Sequence, residues 1–243
     1  MTTDGKHLVG LIREGRFNKS ILASCDAVAL YPSIVIEEAL DILEMKIRSD
    51  ETLENKTDLQ KSELIELTRI ISLDPYFECE FGFFKQEGGT PMGGPLSRLL
   101  ADLVIENKIE SVIRAHEKWG KIWDWVRLID DTLSAWESKE IFEEFFKYLN
   151  TIHPHIAWTC ELEEEGKLPI FDILVIRTEN GFETTVYRKS THSNRYIHYT
   201  SAQAWKEKVA CIKTLKKRAL EYCSNEQLLA DEFSFLIDIF EQN

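Results

Sequence analysis

Between Ser20 and Leu30 the chain reads SILASCDAVAL, an apolar run that carries a single charge, Asp26. A short apolar run bounded by turn residues reads as a buried strand. Tyr31-Pro32-Ser33 ends it, because Pro32 cannot donate to a strand ladder. Ser33 is placed to cap a helix expected over about residues 34–48, with Glu37 and Glu38 favourable in its first turns. After a polar stretch over 49–61, expected as loop or frayed helix, Leu64, Ile65, Leu67, Ile70 and Ile71 recur at helical spacing and predict a helix over 62–72. Residues 76–85, YFECEFGFFK, partly alternate and predict a hairpin strand.

The next twelve residues, QEGGTPMGGPLS, hold four glycines and two prolines. So much backbone freedom beside so much rigidity marks a shaped loop that something approaches closely. Leu99, Leu100, Leu103, Val104, Ile109 and Ile113 then predict a helix over about 95–119. Residues 122–136 read as two strands joined at Asp130-Asp131, and 139–151 as an amphipathic helix. Three short strands follow at 155–161, 168–177 and 182–188, with Glu179-Asn180-Gly181 as a turn, and from about Ala202 the chain reads helical. This order predicts an α+β fold, an antiparallel sheet with helices on one face.

Within that pattern, WVRLIDDTLSAW sets two adjacent aspartates between two apolar runs. Neighbouring carboxylates repel and cost desolvation, so a half-buried strand seldom keeps two without a use. If the turn at Asp130-Asp131 lies beside the end of the strand carrying Asp26, three carboxylates converge at one sheet edge. Such a cluster is stable around cations, and its hard oxygen donors suit Mg²⁺, two ions of which suit an in-line phosphoryl displacement.

Net charge sharpens the picture. The chain of 243 residues carries 29 basic and 42 acidic side chains, net −13, which argues against a generic nucleic-acid coat protein. Yet Arg188, Lys189, Arg195, Lys206, Lys208, Lys213, Lys216, Lys217 and Arg218 face only Glu207 between residues 187 and 218, a local charge of +8. A basic arm on an acidic body suits a phosphate backbone bound at one face, and a solvated helix face is the plainer account. Five widely spaced cysteines with no Cys-x-x-Cys pair argue against a disulfide framework and against structural zinc, and His153-Pro154-His155 reads as a turn. No apolar run approaches the roughly 20 residues of a membrane span, and the first residues lack a signal-peptide profile, so the expectation is an intracellular protein, with nucleus and cytoplasm not distinguished.

CDAVALYPSI, QEGGTPMGGPLS and RLIDDT, in that order, resemble the palm motifs of reverse transcriptases. LNTIHP, IAWTCE, GKLPIFDILV and VYRKSTH further along resemble the Penelope-like retroelement branch, so the likeness runs over about residues 23–224. The resemblance implies a polymerase palm over 1–200 and a helical thumb-like segment over 201–243. It implies RNA-directed DNA polymerase activity with dNTPs on an RNA or DNA template and a DNA primer, using two Mg²⁺ ions with Mn²⁺ as substitute, and no membrane. Asp26, Asp130 and Asp131 would be catalytic metal ligands, with the Ala27 carbonyl as a backbone ligand. Tyr31 would lie under the incoming sugar and discriminate against a 2′-hydroxyl. Gln86, Gly89, Pro91, Met92 and Gly93 would shape the nucleotide pocket, and Arg188, Lys189, Thr191 and His192 would grip primer and template. Lys167 is a weaker candidate for the acid that protonates pyrophosphate, since after three glutamates it also reads as a surface charge.

The chain departs from the family at three points. Leu128 stands where most relatives have an aromatic residue two before the paired aspartates, and Gly94 replaces a small hydroxyl residue. Twenty-five residues precede Asp26, so the fingers region is expected to be largely missing, with Lys6, Arg13, Arg16 and Lys19 too few to replace it. The GIY-YIG endonuclease domain of the branch is not visible. The alternative expectation is therefore a catalytically inactive palm fragment that binds nucleic acid or protein. A two-metal phosphohydrolase on another fold would explain the carboxylates but neither Tyr31 nor the glycine-rich loop.

Overall fold

The pairing of Leu128 with Asp131 brackets a two-residue turn. It closes a hairpin in which β4 (Trp125–Leu128) runs antiparallel to β5 (Asp131–Trp136), with Ile129 and Asp130 as the two turn residues. The computed structural model describes residues 4–17, 21–121 and 124–242; Lys19, Ser20 and Ile122, which entered the sequence reading, lie outside them. β5 continues into a four-stranded sheet of order β4-β5-β1-β6, where β1 is Ile21–Ala27 and β6 is Trp158–Leu162. A second sheet of three antiparallel strands is built from β7 (Lys167–Ile170), β8 (Ile173–Thr178) and β9 (Gly181–Val186). The fold is α+β with antiparallel pairing, as the order of elements predicts.

By contacts the chain divides into two compact units. The first comprises Met1–Cys25, Asp124–Lys139 and Cys160–Asn243. Its core is Val126, Leu133 and Ala135 of the hairpin against Leu168, Ile173 and Val175 of the second sheet, closed by Leu8, Val9 and Ile12. Those three belong to α1 (Gly5–Arg13), whose N-cap Asp4 accepts a hydrogen bond from the His7 backbone at 2.8 Å. The sequence reading has no helix here; the cap and the spacing of the three apolar residues are its signal. Two long helices complete the unit, α8 (Trp205–Tyr222) and α9 (Glu226–Gln242).

The second unit comprises Asp26–Trp123 and Glu140–Thr159. After β1 comes a single helical turn, α2 (Leu30–Ser33), then α3 (Ile36–Ser49) and α4 (Lys61–Leu73). Ser33 does not cap α3 as expected: α2 uses it up, its hydroxyl faces the Val28 carbonyl at 3.5 Å, and Val35 precedes α3 without a side-chain cap. Arg69 of α4 reaches Glu37, Asp41 and Glu44 along α3 at 3.2 to 3.3 Å. β2 (Tyr76–Cys79) and β3 (Gly82–Lys85) form the hairpin, with exposed aromatics and Phe77 stacked on Phe84. The helix expected over 95–119 runs as α5 (Ser97–Val104), a π stretch Ile105–Glu110 and α6 (Ser111–Ala115). α7 (Lys139–Leu149) presents Phe142 and Phe145 inward.

One further expectation is corrected. The single strand over 168–177 is two, β7 and β8, turning at Phe171-Asp172 with Phe171 at φ +53°. Asp172 is the one turn-forming residue there, too weak a mark against the apolar residues on either side. Among the described residues no helix is long and apolar enough to cross a membrane.

Candidate metal centre

The hydroxyls that follow the paired aspartates hold β5 to β1. Thr132 donates from Oγ1 to the Cys25 carbonyl at 3.1 Å, and Ser134 from Oγ to the Ala23 carbonyl at 3.2 Å, all in fully buried surroundings. A buried hydroxyl must find an acceptor, so these bonds set where β5 stands along β1. Asp26 directly follows Cys25 in β1, and Asp131 directly precedes Thr132 in β5. That register sets Asp26 beside Asp131, the residue that follows the Ile129-Asp130 turn.

Asp26, Asp130 and Asp131 each present a carboxylate oxygen within 4.8 Å of the others. Asp26 is exposed and the other two are half-buried. Three hard, anionic oxygens so close together suit a hard divalent cation of the Mg²⁺ class. Ala27 closes β1 next to Asp26 and is buried.

The turn beneath is under strain. Ile129 lies at φ +59°, a costly conformation for a β-branched residue. Arg127, one of the largest fully buried side chains, donates to the Ile129 carbonyl at 2.8 Å and so braces it. Sequence reading missed Arg127, Thr132 and Ser134; alternate hydroxyls inside an apolar strand were the available signal. Burial, then the neighbouring Cys160, pushes the Cys25 thiol up to about 12, so it is a protonated packing group beside Asp26.

The glycine-rich loop meets the turn after β1. Thr90 donates its backbone N–H to the Tyr31 carbonyl at 2.8 Å. Gly89, at φ +68°, comes so close that a Cβ there would lie 2.5 Å from the Pro32 Cα. Beside this contact lies an open groove of about 820 Å³ lined by Gln86, Gly89, Ile34, Val35 and His155. The Pro91 carbonyl accepts from Ser97 Oγ at 2.5 Å, while Met92 and Gly93 are exposed. The loop's residues therefore divide: Gln86 and Gly89 line the groove with Pro32 and Ser33 of α2, and Met92 and Gly93 are not part of that lining.

The primer-grip candidates divide as well. Arg188 makes a two-pronged pair with Glu232 of α9 at 2.5 and 2.8 Å and lies 4.2 Å over the Phe235 ring. It is structural, joining the end of β9 to α9. Arg218 likewise pairs with Asp172 at 2.9 Å, and Lys208 donates to the Tyr199 and Ser201 carbonyls. Lys189, Thr191 and His192 are exposed, as are Lys206, Lys213, Lys216 and Lys217 along α8. Lys167 is exposed at the start of β7.

Three solved structures share the fold. The chain superposes over its whole length on 42% of the telomerase of Candida albicans, solved in complex with a TWJ fragment of telomeric RNA, with a TM-score of 0.62 and 15% identity. For Candida tropicalis telomerase the values are 0.51 and 13% over 99% of this chain and 43% of that one, in complex with a TWJ fragment, and 0.53 and 12% over 90% and 40% for the apo protein. The chain thus spans about two fifths of these neighbours and shares the fold of that part of them. Residues 195–243, which hold α8 and α9, match the family model of the animal helix-turn-helix domain. No curated protein matches the chain by sequence.

Proposed function

We propose that this chain is the palm and adjoining helical segment of an RNA-directed DNA polymerase of the Penelope-like branch, extending a DNA primer on an RNA or DNA template with dNTPs. The observation that carries this reading is the meeting of Asp26, Asp130 and Asp131 on a polymerase fold. Those three carboxylates, with the Ala27 carbonyl, are the residues to hold Mg²⁺ or Mn²⁺, which when bound supplies positive charge to the attacking and leaving oxygens of an in-line phosphoryl transfer. The primer 3′-hydroxyl forms the new bond to the α-phosphorus of the dNTP, and pyrophosphate leaves.

The chain's own groups position the reactants. Arg127 and the Thr132 and Ser134 hydroxyls keep the carboxylates preorganised. Gln86 and Gly89 border a groove that takes the nucleotide and template, with the Tyr31 turn as its wall and the Tyr31 ring beneath the sugar. Since Arg188 is committed to Glu232, the primer-facing role falls to Lys189, Thr191 and His192, and the template duplex is contacted by the lysines of α8.

Primer extension on an RNA template with Mg²⁺ and dNTPs tests this, using the chain alongside a variant carrying Asp130→Asn and Asp131→Asn. The expected loss is about a thousandfold in the double variant, the scale of removing metal-borne charge stabilisation. Retained primer-template binding without any extension by the parent chain would instead establish a binding module on a polymerase palm, the reading that Leu128 and the engaged Arg188 favour.

A further inference from the structure

Two backbone hydrogen bonds fix the register of β1 against β6. Val28 donates to the Ala157 carbonyl at 2.8 Å, and Glu163 donates to the Leu22 carbonyl at 2.9 Å. The strands therefore run antiparallel, with 28 opposite 157 and 22 opposite 163. Cys25 lies midway between 22 and 28, and Cys160 midway between 157 and 163, so the two cysteines face each other directly. Thr159, whose hydroxyl reaches the Asp26 carbonyl at 3.4 Å, agrees with this register.

The kind of pair matters. Hydrogen-bonded and non-hydrogen-bonded pairs alternate along an antiparallel ladder, and Cys25–Cys160 is three residues from a hydrogen-bonded pair on either side. It is therefore a non-hydrogen-bonded pair, in which the Cα atoms stand about 4.5 Å apart and the side chains leave the same face. That spacing falls inside the range a disulfide accepts, about 4.4 to 6.8 Å. Both residues are thiols in this structure, Cys25 buried and Cys160 half-buried. Solvent reaches one sulfur and the second waits behind it, the arrangement of an attacking and a resolving thiol.

We propose that Cys25 and Cys160 are a redox modification site, a cross-strand dithiol converted to a disulfide by low-molecular-weight disulfides of the glutathione class. The half-buried Cys160 sulfur, as thiolate, attacks the small disulfide and expels one small thiol, leaving a mixed disulfide. The Cys25 sulfur then attacks the Cys160 sulfur and expels the second small thiol, its proton passing to that departing sulfur. Two protein thiols are oxidised by two electrons, and one small disulfide is reduced to two small thiols. The new bond ties β1 to β6 one residue before Asp26, a position independent of whether the carboxylates work in polymerisation.

The test is thiol mapping of the full chain equilibrated across a series of glutathione to glutathione-disulfide ratios. As the ratio becomes oxidising, reactive thiols should fall from the five of the sequence to three, with one cross-linked peptide joining Cys25 to Cys160 and restored by dithiothreitol. In Cys160→Ser no such peptide forms; in Cys25→Ser a glutathione adduct persists on Cys160. A persistent glutathione adduct on Cys160 of the parent chain, or cross-links confined to Cys79, Cys211 and Cys223, would overturn the proposal. Since the readout is covalent mass, its failure is distinct from an absence of primer extension.

Discussion

Gly89 shows how closely backbone is fitted to backbone around the glycine-rich loop. Its positive φ and the position of Pro32 each exclude a side chain, the first by strain and the second by overlap. Gly89→Ala is therefore expected to cost about 2 kcal/mol in a thermal or urea melt, and to raise the KM for dNTP where extension is measured. Gly88, with ordinary φ and nothing within 4 Å of a built Cβ, is the control, and its alanine variant is expected to melt within about 0.5 kcal/mol of the parent. Ile129 stores strain of the opposite origin: a bulky residue is held where a glycine would be comfortable, braced by Arg127, directly before Asp130. Strain of this kind concentrates where geometry at a site is over-determined.

At the scale of elements, a buried ion pair and a half-buried carboxylate with two partners join segments whose sequences give no hint of one another. Arg188 at the end of β9 and Glu232 in α9 are 44 residues apart, with side chains only 15% and 6% exposed. Glu232→Gln would leave a buried guanidinium half-satisfied and is expected to cost about 3 kcal/mol, read as an earlier unfolding transition. In the second unit Glu38 of α3 bonds to His153 and to Lys108. Burial alone would raise the Glu38 carboxyl, but the hydrogen bonds from His153 and Lys108 outweigh it and hold it below the usual carboxylate range. A depressed folded-state pKa gives stability that is present above the unfolded value, about 4.3, and lost as pH falls through the folded one. The urea midpoint should therefore drop as pH falls below about 4.3, and Glu38→Gln should flatten that decline.

Across the whole molecule, net charge and its distribution act in opposite directions. A body of net −13 repels polyanions, so the nucleic-acid binding proposed above would rest on the basic residues of one segment. Several of those are engaged within the protein, and the exposed lysines of α8 remain. Lys213→Glu with Lys216→Glu is expected to weaken primer-template binding and to lower the slope of log affinity against log salt by about 2 or more, measured by fluorescence anisotropy. The sequence by itself determined the α+β order, most elements to within a few residues, and the carboxylates and glycines that matter, because hydrophobic period and turn chemistry are local properties. Reading it left out α1, whose cap and apolar spacing are a short signal, and could not give the Phe171-Asp172 turn or the loss of Ser33 as a cap, where weak or contrary local signals yield to packing. Tertiary structure alone decided that Asp26 meets Asp130 and Asp131, that Arg188 pairs with Glu232, and that Cys25 faces Cys160. Each joins positions 44 to 135 residues apart, and the register of neighbouring strands and the docking of helices are set by burial and hydrogen-bond satisfaction over the whole chain.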